Sequence, residues 1–257
     1  MTTTNALAGH QYDALFYRYQ REGSLRSADV VLPLVFGVLP VGSVLDIGCG
    51  AGAWLSVAHG VGTVDVWGVD GDYVDRSLLL INPARFIPRD ISQSFDNARG
   101  YDLVMCLEVA EHVPNACSVT LVDNIVRHAK MVLFSAAVPG QGGEDHINEQ
   151  PYEFWRDLFA ARGYRLFDCV RPGVSGNPAV EPWYRYNLLL FVQDDLVRSL
   201  PAAVAATRVA DRQPVRDFSP PAYRARKWLL KRLPDAVVTR LAVWKHRRFV
   251  RSLQRQA

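Results

Sequence analysis

Two short stretches of this chain gather side chains able to move protons. Glu108, Glu111 and His112 fall within five positions, directly after the apolar run Tyr101–Leu107. Asp145, His146, Asn148 and Glu149 also fall within five positions, in a glycine-bearing loop after the apolar run Lys130–Ser135. A histidine, whose intrinsic pKa lies near neutrality, can accept a hydroxyl proton at physiological pH. His146 is the first candidate for that role, with His112 and Glu111 as further catalytic candidates. Set against this is the plain reading of an idle surface-loop histidine, and of carboxylates that merely complement a helix N-terminus. Asp145, Asn148 and Glu149 are candidate substrate contacts. Asp145, His146 and Glu149 could alternatively hold Mg²⁺ or another divalent ion. Their spacing matches no metal motif, and no metal site is assigned.

A third stretch has the chemistry of a nucleotide cradle. In Val44-Leu45-Asp46-Ile47-Gly48-Cys49-Gly50-Ala51-Gly52 an apolar strand carrying Asp46 runs into glycines at alternate positions. Glycine tolerates positive φ and lacks a Cβ, so the backbone can approach a ligand there. The amides of such a turn, with the helix N-terminus that follows, favour polar or anionic groups. About 20 residues later the run Val64–Val69 ends at Asp70, followed by Gly71. An acid at the tip of a second strand is placed to hydrogen-bond ribose hydroxyls. Asp90 and Ile91, after a short strand at Arg85–Ile87, are placed to bond an adenine amino group and cover its ring.

The elements that must position these groups follow from the alternation of apolar runs with helix-length segments. Strands near residues 44–47, 64–69, 85–87, 101–107 and 130–135 imply a parallel sheet with right-handed crossovers. Two further strands, Tyr164–Val170 and Tyr186–Val192, follow a helix that starts at Pro151 and ends at Gly163. The long turn-rich segment between them carries Trp183 and Tyr184, which with Trp155 could present an aromatic platform to a sugar or ring. Core packing is the commoner fate of a tryptophan such as Trp155. Upstream, residues 10–22 and 24–39 read as two helices, with Tyr12, Phe16, Tyr17 and Tyr19 near one face of the first. Ser24 is a candidate N-cap and Pro33 a candidate break. Such helices either form a lid over the cofactor or pack on the sheet edge.

Taken together, these motifs resemble a class I S-adenosylmethionine-dependent methyltransferase over residues 25–193. Val44–Gly52 matches that family's hh-D-h-G-x-G-x-G motif, Gly68-Val69-Asp70 its acidic second strand, and Leu107–Val113 its segment after the fourth strand. The stretch Pro139–Pro151 is similar to bacterial methyltransferases of glycan and secondary-metabolite pathways. The resemblance implies an α/β, Rossmann-like, seven-stranded, mostly parallel sheet with an antiparallel last hairpin. It implies S-adenosylmethionine as cofactor, held by Asp46, Gly48, Cys49, Gly50, Gly52, Asp70, Gly71, Asp90, Ile91, Leu107 and Glu108. The reaction implied is in-line O-methylation of a small or glycan-type acceptor. N-methylation of an amine-bearing metabolite and a non-catalytic cofactor-binding scaffold are the alternatives. A dinucleotide oxidoreductase would show G-x-G-x-x-G instead of G-x-G-x-G.

Composition bounds the rest. At 257 residues the chain can bury a large α/β core. The division expected is a helical cap at 1–40, a cofactor-binding domain at 41–195, a proline-bearing linker at 196–222 and a basic helical tail at 223–257. Residues 221–257 hold eleven Lys or Arg against the single acid Asp235, about +10, which leaves about −7 for the remainder. The acidic body argues against a nucleic-acid footprint there. The basic tail, with Trp228, Leu229, Leu233, Val237, Val238, Leu241, Trp244 and Phe249 among its charges, suits an anionic membrane surface, a helix docked on the acidic body, or an RNA contact. The start lacks a signal peptide's basic and apolar regions, and no run is long enough for a membrane span. Cys49, Cys106, Cys117 and Cys169 have no metal-site spacing and read as reduced. A cytoplasmic enzyme, peripheral at most to the inner membrane face, is the expectation.

Overall fold

The computed structural model describes residues 14–63, 65–234, 237, 238 and 240, with side chains from residue 21 onward. Seven strands form one sheet: β1 (Ser43–Ile47), β2 (Asp65–Asp70), β3 (Phe86–Pro88), β4 (Leu103–Leu107), β5 (Met131–Ser135), β6 (Tyr164–Phe167) and β7 (Leu189–Gln193). Their order is β3-β2-β1-β4-β5-β7-β6. β7 is antiparallel to both β5 and β6, and the other pairings are parallel. The order reverses between β1 and β4, the place where ligands bind beyond the carboxyl ends of the strands in such sheets. The glycine turn follows β1 and the Glu108–His112 segment follows β4, so both motifs meet at that edge.

Alternation along the strands fixes what covers each face. Val44, Met105, Leu133 and Leu190 point to the face that buries α1 (Ala14–Phe36) and α2 (Ala53–Gly60). Leu45, Val104, Phe134 and Phe191 point to the other, against α3 (Ser118–His128) and α4 (Tyr152–Ala160). On α4 the apolar stripe places Trp155 and Phe159 in this second core, where Phe159 stacks on Phe191 at 4.1 Å between centroids. Trp155 is therefore a core residue and not part of an aromatic platform.

The N-terminal region departs from the two-helix expectation. Residues 14–36 form one helix, with Pro33 inside its last turn. Ser24 is mid-helix and no cap; its hydroxyl meets the Tyr184 phenol at 3.0 Å. Ala28, Val31, Leu32 and Val35, at helical spacing, are all buried in the first core, so this part of the helix is packed structure. The aromatic side chains Tyr12, Phe16, Tyr17 and Tyr19 lie outside the described residues, as does most of the basic tail expected at 223–257.

Residues 196–222, expected as a linker, lie against the body. They contain a short α7 (Ala202–Ala205), and Val204, Val215 and Ser219 are buried. The tail helix α8 (Pro221–Leu230) is docked through Lys227, whose ammonium reaches Asp217 at 2.7 Å, and Arg226, which donates to the Gln141 carbonyl at 2.9 Å. No helix among the described residues is long and apolar enough to cross a membrane.

The turn-rich segment between β6 and β7 folds into α5 (Arg171–Val174) and α6 (Pro182–Asn187). Arg171 ties it down: fully buried, it donates to both Asp168 oxygens at 2.8 and 2.7 Å and to the Tyr186 carbonyl at 3.0 Å. Breaking such a pair leaves a charge buried alone. Asp168→Ala is expected to lower stability by about 3–5 kcal/mol in denaturant unfolding. A loss below about 1 kcal/mol would mean that the guanidinium finds other partners.

Candidate active site

The glycine turn is shaped by its backbone. Gly48, Gly50 and Gly52 have φ of 83°, 52° and 81°. Gly48 and Cys49 donate their amides to the Val69 carbonyl, at 2.7 and 3.2 Å, which binds the turn to the end of β2. Gly50 donates to Asp70 Oδ2 at 2.7 Å, while Oδ1 accepts from the Gly71 amide at 2.7 Å and the Tyr73 phenol at 2.6 Å. Beneath the turn Asp46 is buried, and burial, with the nearby Asp70 charge, pushes its carboxyl up to about 8. Cys49 is likewise buried, and desolvation raises its thiol, so it is unreactive. Asp90 is exposed and one of its oxygens accepts from the Ser92 amide and hydroxyl, at 3.0 and 2.6 Å. Ile91 is half-buried against the second core.

At the end of β4, Leu107 is buried and Glu108 takes φ of 56°, a left-handed conformation rare for a residue with a side chain. Its amide donates to Ser135 at the end of β5. The conformation turns the carboxyl inward to Gln141 Nε2 at 2.8 Å and Asn187 Nδ2 at 3.1 Å. Asn187 also donates to Gln141 Oε1 at 2.8 Å and accepts from the Tyr152 phenol at 3.1 Å. Burial raises the Glu108 carboxyl, and the bonds from Asn187, Gln141 and Ser135 oppose that rise. Glu111 is buried beside it. Burial first, then the Glu108 charge, lift its carboxyl well above the usual carboxylate range. Gln141 and Asn187 carried no signal in the sequence: they lie 33 and 79 positions from Glu108 and meet it only through the fold.

The loop after β5 is fastened to the turn after β4. The Ile147 and Asn148 amides both donate to the Glu111 carbonyl, at 2.9 and 3.0 Å. Asn148 is buried and its amide group donates to the Ala110 carbonyl and the Ser118 hydroxyl, at 3.1 and 3.0 Å. That side chain, expected at the substrate, is occupied in joining the loops. Glu149 accepts from the Gly140 and Gly142 amides at 2.7 and 2.6 Å and holds His146 Nδ1 at 2.9 Å. His112 Nδ1 lies 3.2 Å from the Asp145 carbonyl, and the two imidazoles meet edge to face, 5.0 Å between centroids. Burial, with the neighbouring His146, brings His112 down to about 4, so its ring is neutral although one edge is exposed. The Asp145 side chain faces solvent, and its φ of 56° turns its carbonyl toward His112. Glu111, His112 and His146 thus form one cluster, which Asp145 and Glu149 support from behind. A cavity of about 240 Å³, lined by Gly143, His146, Glu149, Leu230 and Val238 among others, opens between this loop and the tail.

The remaining aromatic candidates are more enclosed than a platform requires. Tyr184 is buried, edge-on to Trp54 at 4.9 Å, and Trp183 is half-buried against the first core.

Residues 17–168 match a family described as a methyltransferase domain. The fold also recurs in solved structures. The sugar N-methyltransferase KedS8 from Streptoalloteichus sp ATCC 53650 has a TM-score of 0.55 at 20% identity, covering 75% of this chain and 97% of its own. DesVI of Streptomyces venezuelae has a TM-score of 0.51 at 15% identity, with 70% and 95% covered. Magnesium protoporphyrin IX methyltransferase of Synechocystis PCC 6803, solved with bound SAM, has 0.50 at 20% identity, with 72% and 86% covered. At these identities the likeness is one of fold. No curated protein matches the sequence.

The turn geometry separates two glycines by experiment. A Cβ at Gly48 would fall 2.4 Å from Val109, whereas one at Gly50 meets nothing within 4 Å. Gly50→Ala should cost only the left-handed backbone penalty, about 1–2 kcal/mol. Gly48→Ala adds a collision and should cost clearly more. Thermal unfolding of both variants reads the difference, and equal losses would contradict it.

Proposed function

The chain belongs to the methyltransferase-domain family matched by residues 17–168 and is an S-adenosylmethionine-dependent methyltransferase; we propose that it methylates a hydroxyl of a small or glycan-type acceptor. When bound, S-adenosylmethionine would supply a methyl group activated on a sulfonium, open to in-line attack by an acceptor lone pair as the carbon–sulfur bond breaks and S-adenosylhomocysteine leaves. The chain must then hold, align and deprotonate.

The described residues fit that cofactor. Gly50 leaves open space where a Cβ would project. In this reading Asp70 takes the ribose, one ribose hydroxyl replacing the exposed Tyr73 phenol, with Gly71 keeping the approach free of a side chain. Asp90 and Ile91 take the adenine. Asp46, Gly48, Cys49 and Gly52 shape the turn, and Leu107 and Glu108 face the methionine end.

The observation that carries the hydroxyl reading is the cluster of Glu111, His112 and His146 beside these groups. A hydroxyl attacks well only once its proton is taken up, whereas a neutral amine can attack directly. His146, oriented by Glu149, is the group assigned to the acceptor, with His112 and Glu111 beside it and Asp145 at the rim. Trp183 and Tyr184 are retained as acceptor contacts only if α6 shifts on binding. A second reading, an amine on a sugar-like acceptor, has in its favour that KedS8 is a sugar N-methyltransferase.

Calorimetric titration should show S-adenosylmethionine and S-adenosylhomocysteine binding to the wild type, with loss in Asp70→Ala. Absence of both from the folded wild type would remove the cofactor site. His146→Ala should bind cofactor normally yet lose about 10²-fold or more in turnover with sugar acceptors. Unchanged turnover would take His146 out of the reaction.

We also propose that α8 rests on an anionic membrane surface. Trp228 and Leu229 are 52% and 58% exposed, beside Arg224, Lys231 and Arg232. Apolar side chains flanked by cations suit such a surface. Replacing Trp228 and Leu229 together by Glu should weaken binding to phosphatidylglycerol vesicles at least about tenfold. Equal binding would contradict this placement.

A further inference from the structure

We infer that Glu111, His112 and His146 bind a divalent transition-metal ion that takes the acceptor oxygen at an open coordination position. This deepens the proposed function, on which it rests for the ion's purpose though not for its binding. One carboxylate oxygen of Glu111 and one ring nitrogen from each histidine lie within 4.8 Å of one another. Ligand bonds of about 2.0–2.2 Å set three such atoms about 3.3–3.8 Å from one another in tetrahedral or trigonal geometry, so closure by about an ångström completes the site.

Three further observations point to a cation. Glu111 is 1% exposed, and its Oε2 is buried without any hydrogen-bond partner. A buried carboxylate oxygen left so is costly, and an ion would satisfy it. Among the described residues neither Glu111 nor Glu108 has a Lys or Arg within ion-pair distance. Both histidines are backed in the way metal ligands usually are. The Asp145 carbonyl can only accept, so His112 Nδ1 carries the hydrogen and Nε2 the lone pair. The Glu149 carboxylate does the same for His146. Gly143 completes the case: a Cβ there would fall 2.1 Å from His146 Nε2 and cover it.

Two imidazoles and one carboxylate suit borderline ions such as Mn²⁺, Co²⁺ or Zn²⁺ better than Mg²⁺ or Ca²⁺, which prefer oxygen alone. An ion-bound hydroxyl is more acidic and releases its proton to water more readily. His146 then serves the acceptor as a ligand. The ligand set differs from Asp145, His146 and Glu149, because Glu149 is occupied by the Gly140 and Gly142 amides and by His146.

The test is titration of the full chain, stripped with chelator, with Co²⁺ alone, read by its visible absorption. One Co²⁺ per chain with a nitrogen-ligated spectrum is expected. His112→Ala, His146→Ala and Glu111→Gln should each weaken uptake about 100-fold or more. Gly143→Ala removes no ligand and has ordinary backbone geometry; its Cβ displaces the His146 ring, so it should also weaken uptake while the metal-free chain keeps the wild-type far-ultraviolet circular dichroism. Should Glu111→Gln fail to fold, His146→Ala and Gly143→Ala decide the matter. No Co²⁺ uptake by the folded wild type, or uptake unchanged in His146→Ala, overturns the inference. S-adenosylmethionine titrated into the same samples separates the two readings. Cofactor binding without Co²⁺ uptake overturns the ion alone, and Co²⁺ uptake without cofactor binding sustains the ion while removing the cofactor reading.

Discussion

The Glu108 carboxyl is enclosed at the end of β4, where the side-chain amides of Gln141 and Asn187 each donate to one of its oxygens. Glu111 is buried three residues further on, so two acids share one desolvated space. Neither would be tolerated in an apolar core, and their presence dictates what must surround them. The Asn187 end of α6 has to reach the sheet, which Arg171 secures by holding the Tyr186 carbonyl from a fully buried position. The loop after β5 has to return to the turn after β4, which Asn148 secures. Glu108 itself accepts a left-handed backbone, the kind of local strain that survives only where the surroundings over-determine it.

The sheet order explains why this acidic pocket lies beside the glycine turn. β1 and β4 are neighbours at the point where the order reverses, and each ends in one of the two motifs. A Cβ on Gly48 would collide with Val109, the residue between Glu108 and Ala110. The two loops therefore touch, and the nucleotide turn is built against the segment that carries the acids. A ligand reaching from one to the other would span the crevice.

Much of this was legible in the sequence, and the reasons are local. Asp46, the three glycines and Asp70 are recognisable because strand, turn and acid sit at fixed short spacings. The strands are readable from apolar runs, and the family resemblance implies the antiparallel pairing at the end of the sheet. The grouping of Glu111 with His146 depended on two loops 35 positions apart converging, and Gln141 and Asn187 depended on the same convergence. Pro33 misled in the opposite direction: α1 runs through it to Phe36, although a proline there supplies no amide to the preceding turn. In the sequence Asn148 and Glu149 read as candidate substrate contacts. The fold gives them backbone groups and the Ser118, Gln150 and His146 side chains as partners, which no spacing rule reveals.

A crystal structure of the full chain with S-adenosylhomocysteine tests the central claim most directly. The account predicts the ribose on Asp70 and the sulfur directed toward the space bounded by Glu108, Glu111 and His146. Ribose away from Asp70, or a sulfur facing away from that cluster, would contradict it.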